Sequence, residues 1–306
     1  MSYVDGLLDR TRDVVDVVER RNGKRKYMQY PAKYTMYYPD QDGKFESIFG
    51  DKLQRVVHTN SKKFHREKKL HSGKQLFESD INPVFRCLAH NYMDAEAPDL
   101  NICFFDIEVE FNKEKGFADP TDPFNKVVAV ALHLSYLKKT ICLAIKPDAL
   151  TTAEAQDVCK KFEDTILCTD EAELLNTFLE LIDDADVLTG WNSEGFDIPY
   201  LVNRIKRVLS RSHTRKFCLW DKYPKEKTVV KYGKEQETYV LFGRVHLDYL
   251  LLYQKYTYHE MHSYSLDAIG EYELGERKVD YEGTLDQLYN KDFETFIAYN
   301  RQDVDL

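Results

Sequence analysis

Asp106 and Glu108 stand two residues apart in the stretch Phe104-Phe105-Asp106-Ile107-Glu108-Val109-Glu110-Phe111. Phe105, Ile107, Val109 and Phe111 recur at every second position, which predicts a strand with that set facing a core. The two carboxylates then share the opposite face, where like charges side by side repel unless a cation lies between them. That pattern is half of a metal site. Two acids elsewhere are candidates for the other half. Asp197 ends Gly190-Trp191-Asn192-Ser193-Glu194-Gly195-Phe196-Asp197, a strand-to-helix junction of the kind where α/β folds place functional groups. Asp303 follows Tyr299 by four residues, so the two share one face of a helix. Taken singly, each has an ordinary explanation, an N-cap aspartate and a solvated surface acid.

The elements that must position these residues follow from the same kind of reading. Residues 112–125 are a polar loop with Gly116-Phe117 at its tip, and Pro120 and Pro123 bar a helix there. Residues 127–136 and 140–145 are two strands joined tightly through Lys138-Lys139. Asp170, with Glu173 as its reciprocal partner, opens a helix that runs to about Ile182. A strand at 186–192 leads to a helix at 198–205, entered through Asp197, with Pro199 in its tolerant first turn. Residues 228–241 are a β-hairpin with the polar tip Tyr232-Gly233-Lys234-Glu235, and helices follow near 249–256, near 264–272 and from Asp292 onward. The succession predicts helices packed on a mixed sheet. Residues 1–97 hold strand-like pieces at 27–30 and 34–38, broken by Pro31, Pro39 and Asp42-Gly43, and read as a small mixed α/β module. With a linker at 95–99, the expected domains are 1–97 and 98–306. The last helix stops at Asp303-Val304-Asp305-Leu306 without a Gly or Pro stop, which reads as a cut within an element.

At 306 residues and 43% hydrophobic, the chain can bury two cores. No apolar run approaches the ~20 residues of a membrane helix, and Met1-Ser2-Tyr3-Val4-Asp5 lacks a secretory pattern, so a cytoplasmic address without a membrane partner is expected. Six cysteines without a C-x-x-C pair suggest neither zinc knuckle nor disulfide framework, only reduced core thiols. The net charge of −9 is uneven: residues 1–97 carry 18 Lys and Arg against 14 Asp and Glu, or +4, which leaves −13 for the rest. Within the basic part, the runs 20–26 and 62–69 are dense enough to meet phosphates, and equally suit a solvated charged face. Tyr27, Tyr30, Tyr34, Tyr37 and Tyr38 lie beside them, placed for base stacking or for packing.

In order along the chain, D-x-E, N-x-x-x-F-D and Y-x-x-x-D match the three motifs of DEDD-superfamily exonucleases. The set resembles the 3′→5′ proofreading domain of family B DNA polymerases, an RNase H-like α/β fold, and further agreement at Leu241-Phe242-Gly243, Leu247-Asp248-Tyr249, Ser263-Tyr264-Ser265-Leu266-Asp267 and Tyr281-Glu282-Gly283 resembles the replicative polymerases of T-even-type bacteriophages. The resemblance is weak before Pro98 and strong after it. It implies that Asp106, Glu108, Asp197 and Asp303 bind two Mg²⁺ ions, with Mn²⁺ as a substitute, and that Tyr299 orients the attacking water. Ala298 stands where the histidine branch of the superfamily would need His. It further implies that Asn192 lies near the scissile nucleotide, that Phe196 binds DNA, that Phe117 stacks on the frayed strand, that Lys278 lies near the site, and that the hairpin around Gly233 helps part primer from template. Partners would be a single-stranded 3′ end and primer-template DNA, RNA at residues 1–97, and a sliding clamp only through sequence beyond Leu306; the address would be the host cytoplasm if the source is viral. The polymerase motifs D-x-x-S-L-Y-P-S and Y-x-D-T-D-S do not occur, so the chain reads as the front of a longer polymerase rather than a separate subunit. A stand-alone exoribonuclease and an RNA-binding regulatory module are the competing readings.

Overall fold

A computed structural model of the chain describes residues 2–111, 116–231 and 233–306, together with every side chain of these except Lys231 and Lys234. The expected loop residues 112–115 and Tyr232 of the hairpin tip lie outside the described residues. The chain divides into two compact units, Met1–Asp99 and Leu100–Leu306.

The first unit holds strands β1 (Tyr3–Asp9), β2 (Val14–Arg21), β3 (Lys24–Pro31), β4 (Tyr34–Pro39), β5 (Phe45–Glu46) and β6 (Lys52–His58), then helices α1 (Ser61–Leu70) and α2 (Pro83–Tyr92). They form two antiparallel three-stranded sheets, ordered β1-β2-β3 and β4-β6-β5. Val15, Val17, Met36, Phe64, Val84 and Tyr92 make the core. The basic run 62–69 falls on α1, whose Phe64 alone is buried. Packing claims most of the tyrosines. Tyr34 is buried, stacks on Phe64 and donates to Asp13, and Tyr38 stacks on His71 with ring centroids 4.0 Å apart. Tyr27 is the exposed one of the five, at 56%.

The second unit contains β7 (Ile102–Val109), β8 (Val127–Leu134), β9 (Lys139–Ile145), α3 (Thr152–Cys159), β10 (Thr165–Cys168), α4 (Glu171–Leu181), β11 (Val187–Gly190) and α5 (Asp197–Val208). A 3-10 turn at Arg211–Phe217 follows, then the hairpin β12 (Lys225–Lys231) and β13 (Lys234–Val240), β14 (Val245–Asp248), α6 (Tyr249–Tyr256), α7 (Leu266–Leu274), α8 (Leu285–Lys291) and α9 (Phe293–Asp305). Six strands form a sheet in the order β10-β9-β8-β7-β11-β14, in which β8 runs against all the others. This is the expected mixed sheet with flanking helices, the RNase H-like arrangement.

Both faces of this sheet are covered, and that decides where the acids go. Phe105 and Ile107 point into a core with Leu174, Phe178, Ile198, Leu201 and Ile205 of α4 and α5. Val128, Ala129, Cys142 and Ala144 line a second core with Leu288, Phe293, Phe296 and Ile297 of α8 and α9. The alternation along β7 therefore turns Asp106 and Glu108 toward α9. A register shift between Glu108 and Val109 ends the regular pairing with β8, and Phe111 lies beyond the strand, 42% exposed rather than in the core.

Several expectations need correction. Strand β8 ends at Leu134, and the pattern reading does not place β1, β2, β5, β6, α1, α2, α3, β10, β14 or α8. The Glu173 carboxylate takes the Thr169 N–H and hydroxyl rather than the Asp170 N–H, while Asp170 does cap Glu173 N–H at 2.9 Å. Asp197 is the first helical residue, not a cap: the residue before it is Phe196, and no side chain caps that end. All six cysteines are free and buried, as thiols in a core should be.

Gly190, the last residue of β11, is required by close approach. A Cβ there would lie 2.4 Å from the carbonyl oxygen of Phe105, the residue before Asp106. Neither backbone can yield without shifting β7. Gly190→Ala is expected to destabilise the chain by about 2–3 kcal/mol, read as a lowered urea midpoint at unchanged m-value.

Candidate active site

Three elements converge on one point. From β7 come Asp106 and Glu108, and from the face of α9 that packs on the sheet comes Asp303. Carboxylate oxygens of the three all lie within 4.8 Å of one another. Glu108 and Asp303 are each 7% exposed, and Asp106 is half-buried. Asp197 arrives from the opposite side of the sheet at the start of α5. Its Oδ1 accepts the Ile107 N–H at 3.3 Å, between the two β7 acids, and its side chain is buried. Strand alternation and a helix face thus bring Asp106, Glu108 and Asp303 together, and a strand-to-helix junction sets Asp197 against the backbone of the same strand, outside that group of three.

The ionised cluster opposes its own charge. Burial first, then the charges of Glu108, Asp197 and Asp303, push the Asp106 carboxyl well above its ordinary range. Burial, then Asp303, pushes Glu108 up to about 8. Asp197 is pushed up to about 7, mainly by burial and against the hydrogen bond from Ile107. Asp303 is raised by burial while Lys278 pulls the other way.

Lys278 is the local cation. Its Nζ donates to Asp303 Oδ2 at 2.6 Å and to the Tyr299 hydroxyl at 3.1 Å. Burial disfavours its charge, yet Asp303 and Tyr299 outweigh that and raise its pKa. The backbone N–H of Lys278 is held by Asp267 at 3.0 Å. Tyr299 lies one helical turn before Asp303, and its hydroxyl is also raised, by burial and by the charges of Asp303 and Glu108. Lys278 leaves part of the cluster unanswered. Asp303 Oδ1 is buried with no hydrogen-bond partner. An oxygen-only donor set with an orphaned carboxylate oxygen fits a hard divalent cation such as Mg²⁺ better than a soft one.

The other expected residues divide. Asn192 sits in the turn between β11 and α5 with φ of 61°, a left-handed conformation that asparagine tolerates. Phe196, in the same turn, stacks on Tyr200 with centroids 5.3 Å apart. Phe196 and Phe117 both line a cavity of about 860 Å³ with Val109, Glu110 and Phe111, so this aromatic wall adjoins the acid-bearing strand. Phe117 is 92% exposed. Gly233 is at the hairpin turn with φ of 75° and is not brought to the acids by any described contact.

Two neighbours that lie in stretches quoted for the resemblance carry no role there. Asp248, at the end of β14, accepts the N–H groups of Asn192 at 3.1 Å and Glu194 at 3.2 Å, and so holds the turn that carries Asn192. Tyr281 stands edge-on to Tyr299, centroids 5.3 Å apart. An acid just before a helix signals a cap, and Asp248 does cap α6; its second task depends on the pairing of β11 with β14, which the local sequence does not announce.

Compared with known protein families, residues 57–269 match DNA polymerase family B, exonuclease domain. The chain belongs to that family. This family B exonuclease domain is 40% identical over 141 residues to the DNA-directed DNA polymerase of Escherichia phage RB69, which covers 44% of the chain and 15% of the relative. It is 34% identical over 119 residues to the DNA-directed DNA polymerase of Enterobacteria phage T4, covering 39% and 13%. It is also 30% identical over 200 residues to the DNA polymerase delta catalytic subunit of Schizosaccharomyces pombe (strain 972 / ATCC 24843), covering 59% and 16%. The matched stretches thus span only 13 to 16% of these relatives' lengths. Likeness to a yeast enzyme as well as to phage enzymes makes the family broader than the T-even group. Among the described residues, no helix is long and apolar enough to cross a membrane.

Proposed function

We propose that this domain is the proofreading 3′→5′ exonuclease of a replicative DNA polymerase of the T-even type. It removes nucleotides from a single-stranded 3′ end, working in the host cytoplasm. The observation that carries the reading is the meeting of Asp106, Glu108 and Asp303 within 4.8 Å, with Asp197 bonded to the strand between the first two.

The four carboxylates would hold two divalent ions, Mg²⁺ by the hard oxygen-only donor set. Such ions supply Lewis-acid stabilisation of phosphodiester oxygens and a water acidic enough to attack at neutral pH. The remaining work belongs to the chain. Tyr299, pinned by Lys278, presents its hydroxyl beside Asp303 and orients the attacking water. Lys278 offers a positive charge near the scissile phosphate. The cavity wall of Phe117 and Phe196 stacks the terminal bases, and Asn192 contacts the last nucleotide from the β11–α5 turn. The hairpin around Gly233 parts the primer end from its template.

The test is end-labelled single-stranded DNA and RNA of one sequence, each offered to the chain with Mg²⁺. The expected result is stepwise shortening of DNA from its 3′ end, stopped by a 3′-terminal phosphorothioate block, with RNA degraded far more slowly. Equal or faster RNA degradation would make the chain an exoribonuclease instead. Binding of RNA by the first unit is a second role, which rests on the basic run along α1; salt-insensitive or absent RNA retention in a gel shift would end it.

A further inference from the structure

Helix α5 begins with Asp197, and its later turns carry a set of side chains with no place in the chemistry. Asn203 contacts two further elements. Its Nδ2 donates to the Pro120 carbonyl at 2.8 Å, on the limb of the loop that returns from Phe117 to β8. Its Oδ1 accepts the Tyr239 hydroxyl at 2.6 Å, on β13 of the hairpin. One amide group thus bridges the aromatic loop and the hairpin base.

Neighbours on the helix secure each side. Toward the loop, buried Arg204 donates to the carbonyls of Pro123 at 3.0 Å and Phe124 at 2.8 Å while paired with Glu171, and Arg207 reaches Pro123 and Asp122. Toward the hairpin, Lys206 donates to the Tyr239 hydroxyl at 2.8 Å and lies over its ring at 4.7 Å. Tyr239 is buried and faces Glu226 across the hairpin. An amide can serve both sides because its nitrogen donates and its oxygen accepts from separate atoms, whereas a carboxylate of the same size can only accept.

We infer that Asn203 is a positioning residue that makes the Phe117 loop and the hairpin move as one body on the helix that carries Asp197. This rests on the proofreading reading and deepens it: the bridge matters when a paired end must be opened and seated, and not when the end is already single-stranded. Tyr239→Phe removes the bridging hydroxyl from the hairpin alone. Asn203→Asp keeps an acceptor for Tyr239 and sets a carboxylate oxygen against the Pro120 carbonyl, which loosens the loop alone.

The experiment has two readouts on the 306-residue chain. The first is the ratio of hydrolysis rates on a mismatched primer-template and on the free primer strand. Each variant is expected to lower that ratio roughly tenfold with the free-strand rate within about twofold of wild type, and the double variant to fall no further than the worse single one. The second is hydrogen-deuterium exchange of a peptide covering 116–125, whose uptake is expected to rise in Tyr239→Phe although the change is on the hairpin. An unchanged ratio, equal losses on both substrates, or additive losses overturn the bridge, as does unchanged loop uptake. If the wild-type chain cuts neither DNA, the proofreading reading falls and the exchange measurement alone decides whether loop and hairpin are joined.

Discussion

Replacing Asp106 and Glu108 together by alanine is expected to abolish removal of 3′ nucleotides, a loss of roughly 10³-fold or more, because several kcal/mol of charge stabilisation at the reacting phosphate go with them. The chain should stay folded. Both side chains leave a cluster in which burial and mutual repulsion already disfavour their charges, so the variant in EDTA should melt at the same temperature as wild type or slightly above it. The single change Tyr299→Phe removes only the hydroxyl held by Lys278, and it should cost less than the double change because the metal-binding acids remain. Full hydrolysis by the double alanine variant, measured with Mg²⁺ in excess, would take these residues out of the mechanism.

The second large effect is on stability, and its sign follows from the direction of the shifts. Glu108 is raised from 4.5 to about 8 and Asp197 from 3.8 to about 7 in the metal-free fold. A carboxyl with its folded pKa above its unfolded one binds its proton more tightly when folded. In EDTA the chain therefore gains most from these groups at or below about pH 4, loses that stability progressively as pH rises, and has lost it once pH passes 8. The melting temperature in EDTA should drop by about 5 °C or more between pH 5 and pH 8.5, and saturating Mg²⁺ should restore most of the loss at the upper end by binding the ionised cluster. Carboxyls held low by local hydrogen bonds, such as Asp9 and Asp119, respond only at acid pH and lie outside this window. A melting curve flat with pH in EDTA, or one that Mg²⁺ does not move, would contradict the clustered arrangement.

Much of the site was legible because its signals are local. Alternation along β7 was enough to put Asp106 and Glu108 on one face, and a four-residue spacing put Tyr299 and Asp303 on another. What the residues alone could not supply was that the two faces meet; that came from the order of three motifs, and in the fold it follows from β7 lying between β8 and β11 with α9 across it. Asp197 shows where local rules mislead. An acid at a helix start reads as a cap, yet its carboxylate turns back to Ile107, a contact ninety residues away. Phe111 fits the alternation perfectly and is nonetheless exposed, because the register shift after Glu108 breaks the strand before it. Helix α3 and strand β10 are short and only modestly apolar, so their periodicity is weak, and they exist because they cover one edge of the sheet beside β9. Of the tyrosines beside the basic runs, Tyr34 and Tyr38 went to packing, which composition cannot distinguish from a stacking surface.

Four distant acids are expected to close around divalent metal at the end of β7. Crystals of the chain soaked in Mn²⁺ and recorded at the manganese absorption edge test it most directly. Anomalous peaks are expected within bonding distance, about 2.1–2.3 Å, of oxygens from Asp106, Glu108, Asp197 and Asp303. Saturating Mn²⁺ with no peak touching Asp106 or Glu108, while those side chains remain in place, would contradict it.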